Sequence, residues 1–205
     1  MSITTYSELK TAVANWLNRD DLTSVIPDFI SLTEADLNRK VRHWRMEQRA
    51  TAEFDARYTT LPTDFMESVR LHLDVDERPV ELLTPLALQQ RRQNNADTQG
   101  KPQFYAIIAG QIEVWPTPDA TYTGELYYYQ RTEALSDSNT SNWLLQYFPD
   151  AYLYGALVHS APYLVDDQRT QTWAALYQSA INGINNNNEK AKFGGSGLRM
   201  QVNTY

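Results

Sequence analysis

The chain has 205 residues, of which 25 are acidic and 18 basic, and its formal net charge is −7. With 42% hydrophobic and 21% charged residues, the composition is typical of a folded protein with one domain that carries an insertion, or with two small domains. The absence of cysteine excludes a disulfide framework, a thiolate zinc site and a cysteine nucleophile. The acidic balance disfavours a general nucleic-acid coat protein, because such a protein needs a basic surface.

The N-terminal region is predicted to form two antiparallel helices joined by a short connection. Thr5 and Glu8 have the spacing of a capping box at the start of the first helix. Pro27 is tolerated in a first helical turn and is predicted to begin the second helix. Residues at helical spacing support both helices: Leu9, Val13, Trp16 and Leu17 in the first, and Ile30, Thr33, Leu37, Val41 and Trp44 in the second.

The next part of the chain has the pattern of β-strands. Residues 53–55 and 57–61 are predicted to form a short hairpin. Beyond them, alternation with a period of two predicts that Val69, Leu71 and Leu73 share one face of a strand. This face is expected to contribute to the core of the β region.

Further β segments follow, separated by one short helix. Residues 78–82 are predicted as a partner strand, and Pro79 places it at a sheet edge or a strand start. Thr84 and Pro85 form an N-cap and N1 pair for a helix that ends near Arg92. The remaining predicted strands are a tight hairpin, 104–108 with 111–115, and a tyrosine-rich strand, 124–131.

Helical spacing returns in the last third of the chain. Residues 149–164 are predicted as a long helix, and a last helix is predicted to begin near Asp166. The run Asn185–Asn188 is unfavourable for a helix, so the last helix is predicted to fray there. A glycine-rich linker at 193–197 precedes a short tail.

These elements predict an α+β fold, in which an antiparallel helical bundle built from both chain ends carries an inserted antiparallel β region and an extended C-terminal tail. The predicted domains are a helical bundle domain (1–48 and 136–193), a β-rich insertion domain (49–135) and a C-terminal arm (194–205). No apolar stretch approaches the roughly 18 residues of a membrane-spanning helix, and we expect no signal peptide, because the polar first residues lack a basic and an apolar region.

The ionisable residues show no pattern typical of catalysis or metal binding. His43, His72 and His159 are scattered and form no zinc motif. Glycine-rich phosphate loops and serine nucleophile motifs are absent from the sequence. We interpret the adjacent carboxylates as helix caps and turns: Asp20–Asp21, Asp74–Glu77 and Asp166–Asp167. The sequence therefore predicts a protein that is not an enzyme and has no metal site or cofactor.

One basic segment lies near the end of the second predicted helix. Its cations are Arg39, Lys40, Arg42 and Arg45. In one interpretation they are favourable charges at a helix C-terminus. In the other they form a patch that meets an acidic partner or DNA, so they are candidates for a subunit interface or for a DNA channel.

Taken in order, these segments resemble the head-to-tail adaptor (connector) proteins of tailed bacteriophages. The similar branch includes the tail tubular adaptor of short-tailed phages and the adaptor of gene-transfer agents. The segments that carry the resemblance are 4–9, 16–22, 26–30, 37–42, 61–65, 100–118, 127–129, 143–145 and 149–154.

The resemblance implies a non-enzymatic protein of the virion, made in the host cytoplasm and located at the head-tail junction. Such adaptors form a ring, typically twelvefold, beneath the portal protein and carry the tail or nozzle. Viral DNA would pass through the ring without sequence-specific binding. The C-terminal arm would dock on the portal through Leu198, Arg199, Met200, Gln201, Val202, Asn203, Thr204 and Tyr205.

A different class of function is also compatible with the sequence. The tyrosine-rich β segments could stack on sugars, as in a carbohydrate-binding or host-surface-binding module of a virion. An enzyme is the third alternative. Measuring the mass of the purified chain, alone and with the portal protein, discriminates the adaptor from the sugar-binding alternative.

Overall fold

The computed structural model of the chain describes residues 3–95, 98–164 and 169–194. Within this part, the chain divides into two compact units, Met1–Arg45 with Thr132–Tyr205, and Met46–Arg131. The described helices of the first unit are α1 (Tyr6–Leu17), α2 (Ile26–Lys40), α4 (Trp143–Tyr147), α5 (Pro149–Leu164) and α6 (Thr170–Phe193), while α3 (Pro85–Asn94) lies in the second. None of the described helices is long and apolar enough to cross a membrane.

Helix α5 is the centre of the first unit and contacts α1, α2, α4 and α6. It buries Ala151, Ala156 and Leu157 among its neighbours. Gly155 brings α5 close to α2, where a β-carbon at this position would lie 2.3 Å from Cγ2 of Thr33. The small residues of α5 therefore determine how tightly these helices pack.

Side-chain hydrogen bonds account for the start of α1 and for the continuation of α6 through its asparagine run. The predicted capping box of α1 is confirmed, because Thr5 Oγ1 accepts a hydrogen bond from the Glu8 amide (3.3 Å) and the Glu8 carboxylate accepts one from the Thr5 amide (3.0 Å). The predicted fraying of α6 at the asparagine run is wrong, because the helix continues to Phe193. Asn187 and Asn188 in that run bind His43 and the Trp44 amide through their side chains, which holds the helix in place.

The second unit is built on a seven-stranded sheet. Its strands are β1 (Glu47–Phe54), β2 (Tyr58–Thr60), β3 (Phe65–Leu73), β4 (Asp76–Leu82), β5 (Phe104–Ile108), β6 (Gln111–Trp115) and β7 (Tyr122–Gln130). The order is β1-β7-β3-β4-β5-β6-β2, and only the β4–β5 pair is parallel. The edge strands β1 and β2 contact each other without forming a ladder, so the sheet is nearly closed and barrel-like. It encloses a core of Phe54, Leu61, Leu71, Leu73, Val80, Tyr105, Ile112, Val114, Leu126 and Tyr128.

The predicted architecture is therefore wrong. The molecule is not an antiparallel helical bundle with a small inserted antiparallel β region, but six described α-helices and a nearly closed seven-stranded sheet that contains a parallel pair. The described chain ends in the 24-residue helix α6, and the predicted extended tail falls on residues 195–205, outside the described part. The physical reason is that the alternation of apolar and polar residues identifies a strand but not the strand that pairs with it. In this sheet the first strand of the unit in sequence, β1, pairs with the last, β7.

Two local predictions fail for related reasons. Residues 53–55 and 57–61 do not form a hairpin, because β1 pairs with β7 whereas β2 pairs with β6. Val69 does not share a face with Leu71 and Leu73, because the register of β3 against β7 shifts between Ser68 and Arg70. This bulge leaves Val69 52% exposed, although Leu71 and Leu73 are buried.

A buried polar network connects α2 to the segment that returns from the sheet. The Glu34 carboxylate accepts hydrogen bonds from the Leu135 amide (2.8 Å) and from the Tyr152 hydroxyl (3.2 Å). Asn142 donates to the same hydroxyl at 2.7 Å. Burial raises the pKa of Glu34, and burial together with Glu34 raises the pKa of Tyr152.

We expect Glu34→Gln to increase stability at neutral pH. Because the folded-state pKa of Glu34 is raised, the protonated form is favoured by folding, and stability is lost as pH rises above about 4.5, the unfolded value. Glutamine keeps an uncharged acceptor for Leu135 and Tyr152. Urea unfolding should show the variant more stable at pH 7, with the difference vanishing near pH 4. A less stable variant at pH 7 would mean that the ionised carboxylate stabilises the network.

Candidate interaction surfaces

The four cations named from the sequence come together at the C-terminal end of α2 and just beyond it. We call Arg39, Lys40, Arg42 and Arg45 the basic surface. Lys40 Nζ and Arg39 Nη2 bind the Asp36 carboxylate at 2.7 and 3.4 Å. Tyr177 donates to the same carboxylate at 2.9 Å. Burial opposes ionisation of Asp36, but the hydrogen bonds from Lys40 and Tyr177 outweigh it and lower the pKa of Asp36.

Arg42 completes the end of the helix. Its Nη1 atom donates to the carbonyl oxygens of Asn38 and Val41, both at 2.8 Å. Carbonyls at a helix C-terminus lack partners within the helix, so a guanidinium there satisfies them and complements the helix dipole. The interpretation of these cations as helix-end charges thus accounts for the contacts of Arg42.

Arg45 has a different environment. Its guanidinium carbon lies 4.4 Å from the centre of the Trp44 ring and 4.0 Å from that of Tyr147. Trp44 and Tyr147 are 39% and 55% exposed, so this cation lies between two rings that solvent reaches. Such stacking holds the guanidinium in a defined position while its charge stays available to a partner.

A buried histidine, His43, precedes Trp44 and Arg45 and holds the backbone of both residues. His43 is completely buried and stacks on Trp143 with ring centres 5.0 Å apart. Its Nδ1 accepts from the Arg45 amide at 3.3 Å, so Nε2 carries the proton and donates to the Asn187 side chain, also at 3.3 Å. His43 is thus a structural residue of the first unit, which fixes the backbone at Trp44 and Arg45.

The last turn of α6 adds charge beside the basic surface. Asn187 and Asn188 contact His43 and Trp44, and the following turn carries Lys190 and Lys192. The sequence analysis did not connect these lysines, or the rings of Trp44 and Tyr147, with the basic segment. In the sequence, the adjacent Trp44 and Arg45 are the one feature that could have predicted a cation stacked on an aromatic ring.

Two rings of the tyrosine-rich strand β7 are in contact with other side chains of the sheet unit. Tyr127 is flanked by the guanidinium groups of Arg49 and Arg70, at 5.2 and 4.9 Å from its centre. Tyr128 points into the core, where burial and its hydrogen bond to Asp64 raise its pKa to about 12. Neither of these two rings is free for stacking on a sugar. Tyr58, Tyr147 and Tyr163 are each more than 40% exposed, so the carbohydrate-binding alternative stays a prediction.

One end of the sheet is acidic. The turn after β1, the turn after β3 and the start of β7 meet there, because Phe54 pairs with Tyr122 and Leu73 with Gly124. The Asp74 amide also donates to the Thr123 carbonyl at 2.9 Å. We call the exposed carboxylates at this end the acidic rim: Glu53, Asp55, Asp74 and Asp119.

The histidines and carboxylates do not assemble into a cluster of metal ligands in the part of the chain that the structure describes. No group of three or more potential metal ligands occurs among those residues. His72 lies 3.6 Å from Glu125 on the sheet, and burial lowers the pKa of His159 in α5. The predicted arm residues, Leu198 to Tyr205, lie outside the described residues.

The chain was compared with models of known protein families. A family model described as SU10 adaptor protein matches residues 4–201 of the chain. The matched span takes in every described element of both units. No curated protein matches the chain.

Proposed function

Because the chain belongs to the SU10 adaptor protein family, a family of phage head-tail adaptors, we propose that it joins the portal of the phage head to the tail. The sequence-based resemblance to head-to-tail adaptors is confirmed by this membership. The observation that carries the proposal is the match over residues 4–201. We place the protein at the head-tail junction of the virion, in a structural and non-enzymatic role.

The finer proposal is a ring of identical subunits, twelvefold by analogy with similar adaptors, that lies under the portal and extends the DNA channel towards the tail or nozzle. The net charge of −7 supports passage of DNA without binding, because affinity for phosphates depends on lysine and arginine. The basic surface is then placed at the subunit interface, where Arg39 and Arg45 can meet a neighbouring copy.

Assembly on the portal tests this function directly. We expect native mass spectrometry of the purified chain to show mainly monomer or small oligomers, because subunits of like net charge repel one another at low salt. Addition of the portal protein of the same phage should produce a single complex with many copies of the chain, visible as a ring by cryo-EM. Failure to form any complex with the portal would overturn the proposal, and a stable free dodecamer would contradict the templated assembly.

We propose that the C-terminal arm, residues 194–205, docks on the portal. Leu198, Met200 and Val202 alternate along the sequence, so an extended arm would place them on one side, as β-strand addition to a sheet edge requires. Deletion of 194–205 should abolish portal docking and leave the circular dichroism spectrum and urea midpoint unchanged. As a control, replacement of Leu86, an exposed residue of α3 outside the arm, by serine should retain docking. Undiminished docking of the truncated chain would contradict this role.

A further inference from the structure

We propose that the basic surface of one copy binds the acidic rim of a second copy, head to tail. This inference rests on the proposed ring and names the two surfaces that would form its subunit contact. The basic surface belongs to the helical unit and the acidic rim to the sheet unit. Two different surfaces make the contact heterologous, the type of interface that generates rings when the rotation closes.

The charges of the two surfaces are complementary. The basic surface and the last turn of α6, with Lys190 and Lys192, together carry six cations. The carboxylates of Asp36, Asp150 and Glu189 lie on α2, α5 and α6, so the formal charge of this set is +3. The acidic rim has four exposed carboxylates. Arg57, in the turn after β1, is bound to Glu113 at 2.6 Å. Opposite potentials of this kind steer association and determine its register.

The rim lies at the C-terminal end of β1. The eight-residue strand begins at Glu47, two residues after Arg45, and ends at Phe54, immediately before Asp55. At about 3.3 Å per residue, the strand is about 26 Å long. Within the sheet unit, the rim therefore lies at the opposite end of β1 from Glu47.

Each surface also offers apolar area to a partner. The basic surface includes the exposed rings of Trp44 and Tyr147 around Arg45. At the rim, Val75 is 64% exposed at the tip of the turn between β3 and β4. An exposed stacked arginine with aromatic neighbours is a typical centre of a protein interface. Burial of these side chains would add apolar contact to the charge complementarity.

The absence of cysteine makes the test direct, since single cysteines can be introduced without background reaction. Gln146→Cys places a thiol beside the basic surface, and Val75→Cys places one at the rim. The two variants, with tags of different mass, are mixed on the portal protein and treated with a short bis-maleimide. We call a cross-linked pair of one Gln146→Cys chain and one Val75→Cys chain a crossed dimer. The yield of crossed dimers should exceed the yield of either homodimer at least tenfold. In the control, the Gln146→Cys chain is mixed with a Leu86→Cys chain, whose thiol lies at an exposed position of α3. This pair should give few cross-linked dimers that contain both chains.

Charge reversal identifies the residues that carry the contact. Arg42→Glu with Arg45→Glu should reduce crossed dimers at least tenfold, and Asp55→Lys with Asp74→Lys on the partner chain should restore a large part of them. Circular dichroism of each variant confirms that it is folded. Equal amounts of crossed dimers and homodimers, or no rescue by the second reversal, would overturn the inference.

The test separates this inference from the proposed function. If the chain forms a ring on the portal but the crossed dimers are absent, the subunits meet through other surfaces and only the inference fails. If the chain does not bind the portal at all, the proposed function fails. Reversal of Arg42 and Arg45 could instead leave the yield of crossed dimers unchanged and reduce retention of DNA in the virion. That result would place the basic surface in the channel and overturn the inference.

Discussion

Replacement of Glu113 by alanine is expected to lower the free energy of unfolding by about 3 kcal/mol, the lower range for removal of one partner from a buried ion pair. Glu113 lies in β6 and is only 5% exposed. Its carboxylate binds Arg57 at 2.6 Å and Arg92, from α3, at 3.2 Å. The Arg92 side chain is 13% exposed, so loss of Glu113 leaves a charge in a poorly solvated position.

Urea unfolding of Glu113→Ala and Glu113→Gln measures this contribution. The glutamine variant keeps an acceptor for the arginines and should lose less stability than the alanine variant. Asp21→Ala serves as the matched control, since it removes an ion pair with Arg19 in which both side chains are at least 50% exposed. This control should leave the urea midpoint unchanged. A loss below about 1 kcal/mol for Glu113→Ala would show that the pair adds little to the unit.

Gly155→Ala is expected to destabilise the helical unit by about 3 kcal/mol, the upper part of the usual range for an overpacked core. The added methyl group would lie 2.3 Å from Cγ2 of Thr33 and 3.0 Å from the Tyr177 ring. Thr33 cannot rotate away without cost, because its hydroxyl donates to the Phe29 carbonyl at 2.8 Å in a buried site. The helices α2 and α5 must therefore move apart.

Two further variants separate crowding from helix propensity. Gly183→Ala adds a methyl group where no atom lies within 4 Å, so it should stabilise α6 by up to about 1 kcal/mol. Thr33→Ala removes the methyl group that collides, and combined with Gly155→Ala it should recover a large part of the lost stability. Thermal and urea unfolding of the four proteins provides the measurement. Equal effects of alanine at 155 and 183 would contradict the close approach of α2 and α5.

The sequence alone identified the elements that local chemistry specifies. The capping box of Thr5 and Glu8, the N-cap at Thr84 and the hairpin of β5 and β6 are as predicted, because hydrogen bonds within a few residues determine them. The ordered set of segments from 4 to 154 also sufficed to recognise the adaptor family, which the family match confirms.

The basic surface was named in part from the sequence. A cluster of cations near the end of a predicted helix was visible in the sequence, and it consists of Arg39, Lys40, Arg42 and Arg45. The rings around Arg45 come from separate elements, because Tyr147 is about 100 residues distant along the chain. No periodicity connects such residues, and the acidic rim is likewise assembled from turns that meet only through strand pairing.

Tertiary structure decided the architecture of the sheet. Alternation shows which residues extend, but the pairing of β1 with β7 and of β2 with β6 depends on which long-range partners bury most apolar surface. The bulge in β3 turned Val69 outward against its sequence pattern, because one extra residue there shifts the phase of alternation. The asparagine run of α6, unfavourable by propensity, remains helical because its side chains bind the segment around His43. In each case a non-local contact outweighs a local preference worth less than about 1 kcal/mol per residue.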